Sequence, residues 1–182
     1  MKKSEIPTEV LKYQLREMQL KVSEESRSSF LTFVKKVWPE FVAGSHHKII
    51  AEKFEDISRG KIKRLIVNMP PRHTKSEFAS NLFPSWMMGK NPKLKIIQTT
   101  HTAELSYNFG RKVRNLFDQQ EFKDVFPDVS LSQDSKAAGR FTTNKGGEYF
   151  AAGVGGAITG RGADLLIIDD PHSEQDALSQ TA

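Results

Sequence analysis

Residues Ile62 to Ser76, IKRLIVNMPPRHTKS, pass from an apolar stretch of strand character straight into a basic turn that closes on Lys75-Ser76. No other segment constrains the chain as much. In the phosphate loop G-x-x-x-x-G-K-[ST], backbone N–H groups cradle the phosphates, the lysine adds a point charge at the β/γ groups and the hydroxyl ligates Mg²⁺. Met69 and Thr74 stand here where that pattern has its glycines. Pro70 and Pro71 have no N–H to donate, so a cradle would draw on the amides of Arg72, His73, Thr74, Lys75 and Ser76 at the start of the following helix. The plainer alternative is a basic strand-to-helix turn with a chance Lys-Ser.

Residues Leu165 to Pro171, LLIIDDP, supply the complement. An unbroken apolar strand delivers two carboxylates at its C-terminal end, where open α/β sheets place their chemistry. In a Walker-B-like site Asp169 would hold Mg²⁺ and Asp170 would orient and polarise the attacking water. Most motors carry Glu in the second place, and Asp is one methylene shorter. Taken alone, Asp-Asp after a strand is an ordinary turn or helix cap. A Lys-Ser pair and an Asp pair, each ending an apolar run in one chain, are harder to attribute to chance.

The chain has 182 residues, 37% hydrophobic and 27% charged, which fits a domain with a real core. It has no cysteine, which excludes disulfides, thiol catalysis and Cys-based zinc sites. No apolar run approaches the roughly 20 residues of a membrane span, and MKKSEIPTEV lacks the apolar centre of a signal peptide, so a cytoplasmic protein is expected. The formal charge of +5 favours a polyanionic partner such as nucleic acid.

Helical spacing is expected over Glu9 to Val22, through Val10, Leu11, Leu15, Met18 and Leu20, and again over Phe30 to Val37. Ser45 would cap a third helix carrying Ile49, Ile50, Phe54 and Ile57, with Gly60 stopping it before the first core strand. A helix from Lys75 to about Met88, kinked or ended near Pro84, leads to a second strand at Leu94 to Thr100. Ala103 to Phe117 reads as a crossover helix with Arg111, Lys112 and Arg114 on its solvated face. Phe122 to Asp134 is expected to be irregular, and Arg140 to Ala152 to be a hairpin turning at Asn144-Lys145-Gly146-Gly147. The glycines of Gly153 to Gly162 permit close backbone approach to a ligand, or simply a flexible connector.

MPPRHTKSE, QTTHTAELSYNFGRKVRNLF and GVGGAITGRGADLLIIDDPH together resemble the ATPase domain of the large terminase subunit of tailed bacteriophages. The resemblance spans roughly Ile49 to Pro171. Phosphate loops of that family are often of the PPRHGKS form, and a TGRGAD-type segment leading into IIDDP recurs there. The resemblance implies an α/β fold of the P-loop NTPase, ASCE type, with a mostly parallel central sheet flanked by helices, a helical N-terminal segment over 1–44 and the ATPase domain over 45–182. It implies an ATPase that drives double-stranded DNA into a capsid in the host cytoplasm, with ATP and Mg²⁺ as cofactors. The portal protein, a small terminase subunit and a homo-oligomeric ring are the partners expected, and no membrane.

Carried over by position, Arg72, His73, Thr74, Lys75, Ser76 and Asp169 bind nucleotide, Ser76 and Asp169 hold the metal, and Asp170, Arg161 and Arg72 serve catalysis. Arg161 matches an arginine that related motors present in trans to a neighbour's ATP, where such fingers are worth about 10³ to 10⁵ in rate. A structural Arg161 paired with Asp164 or another local acid is the competing expectation. Gln14, His46 and His47 are upstream positions for an adenine contact, or else surface and capping residues. Twelve residues follow Asp170, so the resemblance implies a chain stopping before the family's coupling motif and nuclease domain. Two other functions stay open: a helicase-like ASCE motor, and a non-catalytic DNA- or portal-binding remnant.

Overall fold

The computed structural model describes residues 8–156 and 158–172; Ala157 and the two ends of the expected domains, 1–7 and 173–182, lie outside it. Three helices come first: α1 (Thr8–Ser28), α2 (Phe30–Val37) and α3 (Ser45–Ser58). Ser29 starts α2 by accepting the amide of Thr32 on its hydroxyl, and Glu55 of α3 accepts the amide of Phe30 at 2.9 Å. Ser45 is not the cap of α3. Gly44 holds that position, and its N–H donates to His47 Nδ1 at 2.9 Å, so a side chain from the first turn reaches back to do the capping. Gly60, at φ +72°, follows the end of α3 as expected.

After the phosphate-loop-like turn the chain is helical from Lys75, as a π-helical segment (Glu77–Leu82) leading into α4 (Phe83–Lys90). The expected disturbance near Pro84 takes this form. Proline has no N–H for the preceding turn and crowds its carbonyl, and a widened turn accommodates both.

The sheet has five strands in the order β2-β3-β4-β1-β5. They are β1 (Lys95–Thr100), β2 (Leu131–Ala137), β3 (Arg140–Thr143), β4 (Glu148–Gly153) and β5 (Leu165–Ile168). β1 lies parallel to β4 and to β5, while β3 runs antiparallel to both β2 and β4. The sheet is therefore mixed rather than mostly parallel. The expected hairpin at Asn144–Gly147 is present, and β2 adds an unexpected antiparallel strand outside it. α5 (Ala103–Leu116) is the expected helix after β1, and α6 (Gln120–Val125) occupies part of the stretch expected to be irregular.

The largest correction concerns Ile62 to Met69, which is no strand of this sheet. Leu65, Val67 and Met69 turn inward against the core while Ile66 is exposed, so the period of two is kept. A strand also needs a ladder partner, and among the described residues this segment has no backbone hydrogen bond to any strand. β5 departs from expectation as well: it is an edge strand with Leu166 and Ile168 exposed, not one buried on both faces.

One apolar cluster joins the sheet to α2, α3 and α4, and the expected boundary between residues 44 and 45 falls inside it. Phe30 is its hub, with ring centroids 5.4 Å from Phe54, 5.5 Å from Phe78, 5.9 Å from Phe83 and 5.4 Å from Trp86. Val10, Leu11, Leu15, Met18 and Leu20 of α1 remain exposed. Among the described residues no helix is long and apolar enough to cross a membrane.

Candidate functional site

The chain leaves β1 towards β2 on one side, whereas the connection from β4 passes β1 to reach β5 on the other, and the C-terminal ends of β1 and β5 open on one edge. Open α/β sheets bind ligands at such a reversal of strand order. The backbone of Asp169 donates to Thr99 O at 3.0 Å, and Asp170 O accepts from His101 N at 3.1 Å. These two bonds fix the Asp pair against the end of β1. Asp170 takes φ +45°, a left-handed conformation that Asp tolerates better than most residues, and the two side chains part company there. Asp169 is buried and Asp170 is exposed.

The phosphate-loop-like turn meets this pair from the far side. Lys75 Nζ lies 2.6 Å from Asp170 Oδ1 and 3.4 Å from Asp169 Oδ1, joining residues 95 positions apart in the first case. The hydrogen bond to Asp170 raises the Lys75 pKa; burial opposes that rise, and the charges of Asp169 and Asp170 reinforce it. Asp169 Oδ2 accepts from Ser80 Oγ at 2.8 Å. Ser80 lies in the π-helical segment, and sequence reasoning missed it. Its only signal was a small polar residue one turn beyond Ser76.

The turn itself is bent by two left-handed residues, Arg72 at φ +60° and Thr74 at φ +61°. The first intrahelical bond runs from Phe78 N to Thr74 O, so the amides of Lys75, Ser76 and Glu77 precede the helical ladder and stand at its positive end. Arg72 and His73 are exposed, and Ser76 is half-buried in the first helical turn. Among the described residues no group of three His, Cys, Asp or Glu could hold a metal by itself. Asp169 and Ser76 carry the oxygen donors that a magnesium ion accompanied by phosphates and water would use. Asp169 shares its carboxylate between Lys75 Nζ at 3.4 Å and Ser80 Oγ at 2.8 Å, so a cation there would take the place of one of them.

Arg161 is elsewhere. Its Nη1 donates to Glu148 Oε1 at 3.0 Å, and its guanidinium stacks 3.9 Å from the Phe150 ring centroid, beside a shallow cavity of about 200 Å³ at the starting ends of β1 and β4. The length of β5, roughly 13 Å at about 3.3 Å per residue, separates it from the Asp pair. The local acid is Glu148 rather than Asp164, which binds Lys95 N instead. Of the upstream positions, His47 caps α3 and reaches Thr74, and the His46 ring lies tilted against His47 with centroids 3.8 Å apart. Gln14 is exposed on α1.

The chain was compared with protein-family models, curated proteins and solved structures, and nothing matches it.

Proposed function

We propose that this chain is the ATP-hydrolysing motor domain of a bacteriophage large terminase subunit, of P-loop ASCE type, acting on double-stranded DNA. One observation supports it above the rest: Lys75, from a turn at a helix N-terminus, meets both carboxylates that end β5. Chance motifs have no reason to converge. On this reading the Lys75 ammonium and the amides of Arg72 to Ser76 bind the β/γ phosphates, and Ser76 and Asp169 hold Mg²⁺, which supplies charge neutralisation at the phosphates. Asp170 would then exchange its lysine partner for a water and take its proton as the water oxygen bonds to the γ-phosphorus and the bond from that phosphorus to the β-phosphate oxygen breaks, giving ADP and inorganic phosphate. Arg161 lies too far from its own chain's site to serve it and is left for a neighbouring copy in a ring, alongside its ion pair with Glu148.

Titration of Mg-ATP into wild type and Lys75→Ala tests the phosphate site: binding is expected in the first and none in the second, and equal affinity would remove the reading. Phosphate release stimulated by double-stranded DNA separates a packaging motor from a plain ATP binder, and unwinding of a duplex would favour the helicase-like alternative. Binding to DNA with no effect of ATP would favour the non-catalytic one.

A further inference from the structure

Thr74 holds φ +61° in the turn, a conformation that glycine adopts freely and a β-branched residue rarely. Such a residue persists only where its surroundings over-determine it. Its hydroxyl lies 2.5 Å from His47 Nε2 and 2.6 Å from His73 O. The Gly44 amide can only donate, and it points at His47 Nδ1, so in the neutral ring the proton must sit on Nε2. A single chain of donors follows: Gly44 N–H to Nδ1, Nε2–H to Thr74 Oγ1, and Thr74 O–H to the His73 carbonyl. His47 cannot easily swing away. It is buried, with its ring 4.8 Å from Phe41 and 5.0 Å from Phe78, the residue whose amide makes the first helical bond back to Thr74.

We propose that His47 is a positioning residue for the phosphate-loop-like turn, a clamp from α3 whose Nε2–H holds Thr74 in the left-handed shape that glycine would otherwise supply. The binding consequence rests on the phosphate-site reading above; the clamp itself does not. It also gives the substitution of Thr for Gly a compensating partner within the same chain.

Gln and Asn at position 47 separate the clamp from the cap. Either can accept the Gly44 amide, but only Gln is long enough to carry a donor on to Thr74. His47→Asn is expected to weaken Mg-ATP binding about fivefold to tenfold, the worth of one hydrogen bond, and His47→Gln to restore it. With Thr74→Gly in place, His47→Asn should have no further effect, because glycine needs no clamp. Wild-type affinity in His47→Asn, or an undiminished loss in the Thr74→Gly background, overturns the proposal. Nitrogen-15 spectra of the imidazole without nucleotide provide the independent arm: His47 should show a protonated Nε2 whose resonance moves in Thr74→Gly and stays in Thr74→Ser. A protonated Nδ1, or indifference to residue 74, overturns the clamp. If wild type binds no Mg-ATP, the phosphate-site reading fails, and the spectra alone decide the clamp.

Discussion

At the scale of the residue, His47 ties acid sensitivity to the turn. Burial first, then the neighbouring His46 and His73, lower its pKa from the ordinary value of about 6.5. The folded protein thus releases this proton more readily than the unfolded chain does. Between the lowered value and about 6.5 the unfolded state binds more protons, so stability rises with pH across that window and levels off above it. Protonation would also place an N–H on Nδ1 against the Gly44 amide. Thermal unfolding followed from pH 8 downward should show a loss beginning near pH 6.5, reduced in His47→Gln, a side chain that does not titrate. An identical profile in both proteins would assign the acid sensitivity to other groups.

At the scale of the element, the π-helical segment aims Ser80 at β5. A regular helix would bring each residue round by about 100°, and the widened turn alters which side chains face the sheet. Ser80→Ala removes the hydroxyl that donates to the buried Asp169 and should cost about 1–3 kcal/mol, measured by urea unfolding, together with a loss of Mg²⁺-dependent phosphate release. A variant with unchanged stability would show that Lys75 alone suffices for Asp169. The same elements mark what could be read from sequence. Lys75-Ser76 and Asp169-Asp170 stood out because each polar pair ends an apolar run; that Lys75 meets both carboxylates depends on how the turn passes the end of β5, which spacing does not set. Ile62 to Met69 misled because alternation reports which side chains point inward, while strand identity depends on a backbone partner the segment does not contain. β2, LSQDSKA, carries almost no apolar alternation and is held by its pairing to β3. The His47–Thr74 link depends on a helix placed 27 residues upstream, which spacing could not show.

At the scale of the whole molecule, Phe30 connects parts that sequence reading assigned to separate segments. Its ring touches α3, the π-helical segment and α4. Phe30→Ala should cost about 3–5 kcal/mol and, by loosening Phe78, weaken nucleotide binding. Melting temperature and Mg-ATP affinity measured on one preparation test this, and a drop in stability with unaltered affinity would separate the aromatic hub from the site. The ion pair from Lys75 to Asp170 carries a consequence for biosynthesis. A ribosome adding about 5–20 residues per second emits Lys75 roughly 5–20 s before its partner. Once Trp86 has been added, soon after Lys75, every ring that packs on Phe30 is in the chain, while the ammonium has no carboxylate to meet. The helical half therefore comes off the ribosome ahead of the chemistry, and a nascent chain arrested short of Asp169 would collapse around Phe30 with its lysine still unpaired.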